Sequence, residues 1–255
     1  MQSGATPEWF ALTDRATRET MERIARSVER VELPLQTKHL PMQAHWFILD
    51  SLTLANQANR EGMHANALSL TRQCLEAVSI VELGLARQAG AADMLAKWEG
   101  DRASPGEVRK WLSENVWPSY GAGLWTETWA VYMGHLARAI QPYAHYSSPL
   151  AQWQIHLIGQ SKVGKEGTEL IARYAPRAYD PQKATRITLF HAILTYTLGR
   201  IWVATSTADD PEFSELIRRF GQALGTSKYL DGHETDWDQQ FWAMLWSTAG
   251  TTMLE

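Results

Sequence analysis

Cysteine is nearly missing: Cys74 stands alone in 255 residues. That excludes a disulfide framework and a thiolate metal site. Lysine is scarce as well, with 7 against 17 arginines, and the formal net charge is −4. This balance gives no global pull toward nucleic acid or an anionic membrane. The first residues, MQSGATPEWFALTDRATRE, lack a basic segment followed by an apolar run, so no secretory signal is read there. There is no internal repeat and no low-complexity linker. Together these absences favour a cytoplasmic protein, and no cofactor or metal is implied.

What the chain has is apolar bulk and planar cations. Hydrophobic residues make up 45%, enough for a sizeable core, and there are 12 tryptophans. Large aromatics fill wide gaps between helices or form contact surfaces. Arginine pairs with carboxylate or phosphate in a planar fork, so local anion sites remain open to the chain despite its net charge.

The stretch His64 to Arg87 reads as the axis of the protein. Ala67, Leu68, Leu75, Val78 and Leu85 recur at helical spacing, with Cys74 and Val81 beside them, giving a wide apolar face. Gly90 reads as its C-terminal cap. Arg72 and Glu76, four apart, share a face. On an interior face they would form a buried pair; on the outer face, a solvated one. Cys74 reads as core.

The order of elements follows from caps and breakers. Thr6 to Val31 opens with a helix whose second half is mostly charged, and a peripheral arm or dimer contact is expected of it. A second helix follows Pro41 and ends near Gly62. Ser104 and Pro105 start a short helix, and another runs from Leu124 to Pro142, where Gly134 is expected to admit a neighbouring helix. Trp153 to Gly159 alternates apolar and polar residues at strand period, and Thr168 to Ala175 is its partner in a hairpin, over about 153–175. Asp180 and Pro181 begin a long helix, apolar nearly all round, that runs to about Thr207. His191 and Arg200 within it, and the negative mean hydropathy of the chain, argue against a membrane span. Asp210 and Pro211 begin another helix, and Trp237 to Trp246 a last short one. The expectation is an all-α multi-helix bundle with a small β-hairpin insertion. It would be a single helical domain over 1–255, with 1–33 a peripheral N-terminal helix, 41–207 the bundle core and 208–255 C-terminal helices.

Chemistry-bearing residues are few. Gly159-Gln-Ser-Lys-Val-Gly164-Lys165-Glu166 approaches a phosphate-binding loop, but Glu166 stands where a hydroxyl must hold magnesium, and a hairpin loop is the better reading. Arg186 with His191, and Arg138 with His145, have spacings suited to metal-free RNA cleavage, the Arg holding phosphate while the His moves the proton. About 1.6 such pairs arise by chance in a chain of this composition, so spacing alone carries nothing. A hydrogen-bonded core histidine is the plainer reading of His191. Tyr143, His145 and Ser147 close the fourth helix and can join Arg72 and Glu76 in a polar network. His233, Glu234, Asp236 and Asp238 read as a solvated acidic helix start rather than a metal site.

Taken together, ALSLTRQCLEAV with Arg72 and Glu76, the run Ile140-Gln-Pro-Tyr143-Ala-His145-Tyr-Ser147, and a hairpin before a long apolar helix resemble bacterial helical proteins of the HEPN-like type, many of uncharacterised function. In those proteins the later run is like Leu-Ser-x-Tyr-x-His-x-Ser; Ile and Gln replace its first two residues here. The likeness spans roughly Pro41 to Thr207. It implies an often dimeric protein, in catalytic members a ribonuclease toxin or defence effector with an Arg–His motif. Ile187 occupies the place after the Arg where that motif usually has a polar residue. Two functions are therefore expected. One is an RNA-binding protein or metal-independent ribonuclease using Arg186 and His191, with RNA or a protein as partner and a homodimer as assembly. The other is a non-catalytic protein-interaction or small-ligand-binding bundle built around Arg72, Glu76, Tyr143, His145 and Ser147.

Overall fold

The computed structural model describes residues 6–163, 167–174, 177–227, 230 and 252–253. Nine α-helices lie among them: α1 Glu8–Val28, α2 Leu40–Arg60, α3 His64–Leu85, α4 Ala91–Glu99, α5 Pro105–Asn115, α6 Trp129–Ile140, α7 Ser148–Gln152, α8 Pro181–Thr205 and α9 Pro211–Gly225. Between α7 and α8 stand strands β1 Ile155–Val163 and β2 Gly167–Tyr174. The protein is thus a mostly helical bundle with a small β insertion.

The caps that punctuate the sequence act as its physics dictates. Ser104 and Glu107 close a reciprocal capping box on α5. Asp180 accepts from the backbone N–H groups of Gln182 and Lys183, and Asp210 from that of Phe213, with Pro next in each case. Gly90 is different. With φ +91° it stands at the start of α4, not at the end of α3, which has already stopped at Leu85. The helix expected from Leu124 begins only at Trp129. The reason is Glu127, whose carboxylate accepts from the backbone N–H of Leu124 at 2.8 Å and of Trp125 at 3.0 Å and holds 123–127 as a loop.

Helix α3 is buried over most of its surface, with only Asn66 and Gln73 exposed, and α2, α4, α5 and α8 are layered on it. Helix α8 is the second inner rod. It is long and apolar enough to cross a membrane, yet most of its apolar window lies inside the bundle. Helix α1 is not a peripheral arm. Its thin stripe of Trp9, Ala16, Met21, Ile24 and Val28 is fully buried against α8 and α9. Arg23 fixes it there, pairing with Asp210 at 2.8 Å while its guanidinium lies 4.2 Å from the Phe213 ring centre. A charged sequence with a narrow apolar stripe can still dock deeply, because four-residue spacing concentrates the stripe on one face.

The hairpin is antiparallel, with a bulge between Leu157 and Gly159. Residues 159–163, read as loop from the sequence, are strand; Gly164–Glu166 lie outside the described residues. Thr252–Met253 adds a short third strand, parallel to β1. Lys183, buried at the start of α8, donates its ammonium to the carbonyls of Trp153 and Ile155 and so pins the hairpin base to the bundle. The terminal helix expected at 237–246 and the acidic group His233 to Asp238 also lie outside the described residues.

One carboxyl is wholly interior. Glu82 on α3 is 0% exposed; its Oε1 accepts from Trp117 Nε1 at 3.0 Å, and its Oε2 has no hydrogen-bond partner among the described residues. Burial pushes its pKa up to about 7. The folded chain therefore keeps this proton where the unfolded chain releases it, so stability falls as pH rises from 4.5 through about 7, by on the order of 3 kcal/mol. Glu82→Gln should remove that loss. Denaturant melts at pH 5 and pH 8 should show the variant gaining on the parent at the higher pH only.

Two glycines make opposite predictions. A Cβ at Gly84 would meet the ring of Pro41, where α3 and α2 touch, whereas one at Gly134 meets nothing within 4 Å. Gly134 therefore does not mark the helix contact expected of it. Gly84→Ala should cost about 1–3 kcal/mol through overpacking. Gly134→Ala should gain about 0.5–1 kcal/mol through helix propensity. Thermal unfolding of the two variants checks both signs.

Candidate functional site

The residues singled out by sequence fall in two places. The first is the α3 face that meets the end of α6. Arg72 is 3% exposed, and its Nη2 donates to Glu76 Oε1 at 2.8 Å and to Gln141 Oε1 at 2.9 Å. Glu76 reaches the surface, so the pair is neither wholly buried nor solvated. Gln141 replaces the serine of the run described above, and it, not Tyr143 or His145, closes the contact. Tyr143 is buried edge-on to the Trp153 ring, centroids 5.9 Å apart. Ser147 donates to the Pro142 carbonyl at 2.7 Å and caps α7. His145 is exposed, and Arg138 bonds His135 rather than His145.

The second place is a cleft of about 1190 Å³ between α1, α2 and the first half of α8. Its walls hold Thr13, Thr17, Thr53, Asn56, Asn59, Thr185, Thr188 and Thr195, and His191 lies in its lining. Arg186 is half-buried elsewhere on α8. Five residues of helix rotate it about 140° from His191, so the two side chains do not converge on one ligand.

The state of His191 follows from its partner. Thr71 has a single hydroxyl proton and donates it to the carbonyl of Ala67 at 2.8 Å. Thr71 Oγ1 also lies 2.8 Å from His191 Nε2, so the imidazole must donate there, and the ring carries its proton on Nε2. Nδ1 is then a bare acceptor, with no hydrogen-bond partner among the described residues. Burial pushes the His191 pKa down to about 4, so the ring is neutral at pH 7.

A second histidine braces the cleft floor. His64 Nε2 accepts from the Asp180 backbone N–H at 3.0 Å, so its Nδ1–H donates to Asn59 Oδ1 at 2.9 Å. Asn59 Nδ2 in turn donates to the Ala184 carbonyl at 3.0 Å. The chain of bonds joins α2, α3 and the start of α8. Burial, with the nearby Lys183 charge, pushes the His64 pKa down to about 4.

No family model, curated protein or solved structure matches the chain. The site is therefore read from its own chemistry.

Four of the hydroxyls in the cleft share one property, while Thr17 and Thr195 bond each other at 3.1 Å. Thr13, Thr53, Thr185 and Thr188 each donate to the carbonyl four residues back, at 2.7–2.9 Å. Each proton is committed, and what these hydroxyls offer inward is lone pairs. With His191 Nδ1 they make a wall of acceptors. Donors come from the rim, from Arg18, Arg60 and Asn56, with Asp14 opposite in charge. The sequence did not single out Thr71, Asn59, His64 or Gln141 as site residues; only Gln141 carried a signal, as the residue occupying a patterned position.

The two histidines predict an acid limit. Each is neutral in the folded chain down to about 4, whereas in the unfolded chain each takes a proton below about 6.5. Stability is thus lost as pH falls from 6.5 toward 4, on the order of 3 kcal/mol for each ring. Nitrogen-15 NMR should find His191 protonated on Nε2 and His64 on Nδ1, both uncharged at pH 6. A titration midpoint near 6.5 for His191 would contradict the assignment.

Proposed function

We propose that this protein is a non-catalytic, small-ligand-binding helical bundle. Its ligand is an uncharged molecule rich in hydroxyl or N–H donors, held between α1, α2 and α8. The observation that carries this reading is the acceptor wall: four committed threonine hydroxyls and the free Nδ1 of a neutral His191. A cavity of about 1190 Å³ accommodates a small molecule, and pockets of this kind use a few fixed polar groups for specificity. The threonines are pre-set by their own helices, so binding costs them little rotamer freedom.

The ribonuclease expectation draws less support from the same geometry. A general acid needs a proton to give near neutral pH, and His191 holds none beyond its Nε2–H, which is spent on Thr71. Arg186 faces away, and the cleft lining has no cluster of cations deep inside it to receive phosphate. The resemblance to HEPN-like proteins is carried forward as an order of elements, with Arg72 tied to Glu76.

A panel of polyols, monosaccharides and nucleosides tests the reading, each beside its O-methylated counterpart. At least one donor-rich compound should raise the melting temperature at millimolar concentration, and methylation should abolish the effect. Ligand at one hundred times its Kd stabilises by about 2.7 kcal/mol. His191→Phe, which keeps the ring volume and removes the acceptor, should weaken that binding about tenfold, the effect of one hydrogen bond. Equal binding of the methylated compounds would overturn the proposal, as would metal-free cleavage of total RNA that is lost in His191→Ala.

A further inference from the structure

Strand β2 stands at the end of its sheet, whose order is β2, β1, then Thr252–Met253. One side of β2 is paired with β1, and the other has no strand partner among the described residues. Every second residue of β2 therefore turns its backbone N–H and C=O to an open edge. Such edges are ordinarily blunted by a lysine, a proline, a bulge on the edge strand or a very short strand. β2 has none of these. It runs for eight residues, GTELIARY, without lysine or proline, and the bulge of the hairpin falls on β1, between Leu157 and Gly159.

Two charges mark this strand. Glu169 and Arg173 are both exposed, and each lies two residues from half-buried Ile171, so the three share a face. Within the hairpin they stand opposite Ser161 and His156, so β1 supplies neither with a counter-charge. Neither makes a hydrogen bond or ion pair among the described residues.

The strand is complementary to itself. Laid antiparallel beside a second copy, about a two-fold axis at Ile171, it sets Glu169 opposite Arg173 of the second copy, and Arg173 opposite Glu169 of the second copy. The two Ile171 residues then lie side by side on the axis, and only Gly167 is left outside the pairing. Opposite charges and β-branched pairs facing each other across strands are favourable, and like charges are not. An axis at Glu169 or at Arg173 sets like charges against each other. Every other register leaves both charges without an opposite partner on the facing β2, so the charges select one pairing.

We propose that β2 is the interface of a two-fold homodimer, in which the edges of two copies join into one continuous sheet with Glu169 and Arg173 paired across the axis. The strand shares no residue with the lining of the α1–α2–α8 cleft, and the inference stands or falls without it. Two short strands bury less than a standard interface, so the dimer is a weak one, with Kd on the order of tens of micromolar.

The test is analytical ultracentrifugation of the full chain. It should sediment as a monomer at about 1 µM and mostly as a dimer at about 300 µM. Glu169→Arg and Arg173→Glu should each stay monomeric at the higher concentration, because each sets like charges across the axis. An equimolar mixture of the two variants should dimerise again, since the arginines of one then face the glutamates of the other. Both variants keep a net negative charge, so long-range attraction between them does not account for the recovery. Both positions are exposed, and unchanged circular dichroism and melting temperature show that each variant is folded. A parent chain that is monomeric at the higher concentration would overturn the proposal. So would a dimer that survives both substitutions, or a mixture that stays monomeric.

Discussion

Helix α3 has almost no face to give to water, and the arrangement of the other helices answers that constraint. Seventeen of its residues are buried, among them Arg72 and Glu82. An apolar rod of 22 residues can be hidden only if neighbours close around it. Helices α2 and α8 cover its long sides, while α4 and α5 close over its later turns. Most of the buried polar side chains on α3 find a partner from a neighbour, because an unpaired one costs on the order of 1–3 kcal/mol; Ser79 Oγ, Arg72 Nε and Glu82 Oε2 are left without one among the described residues. Thr71 finds His191, Arg72 finds Gln141, Glu82 finds Trp117 and His64 finds Asn59. These bonds align the helices as much as the apolar contacts do.

The same bonds set the chemistry of the cleft between α1, α2 and α8. His191, in the cleft lining, keeps its proton on Nε2 and leaves Nδ1 as the acceptor because Thr71 has already spent its own proton on α3. Arg72 is held by Glu76 and Gln141 through its Nη2, while its Nε has no partner among the described residues. The function proposed for this protein thus rests on what the packed rods leave unpaired, the acceptor nitrogen of His191 in the cleft lining. His64, His191 and Glu82 also pull stability in opposite directions between pH 4.5 and 6.5, so their separate effects are visible only in variants or by NMR.

Much of the fold was legible. The helical class, the axial helix and the starts at Ser104, Asp180 and Asp210 follow from local rules, since caps and prolines act within three or four residues. The hairpin was legible from alternation, although its strands run further into the presumed loop. The depth at which α1 docks was not legible, because the Arg23–Asp210 pair joins residues 187 apart. Nor was the site. His191 was singled out beside Arg186, a neighbour in sequence that helix rotation carries to another face. Its partner Thr71 is 120 residues away.

The sequence by itself determined which segments become helices, where most of them begin, and that two of them, α3 and α8, must be interior. These outcomes depend on propensity, periodicity and capping, all of which are local. Tertiary structure alone decided which nitrogen of His191 holds the proton and that Glu76 and Gln141 share Arg72. Those outcomes depend on hydrogen-bond partners and desolvation supplied by distant parts of the chain, and no pattern along one helix encodes them.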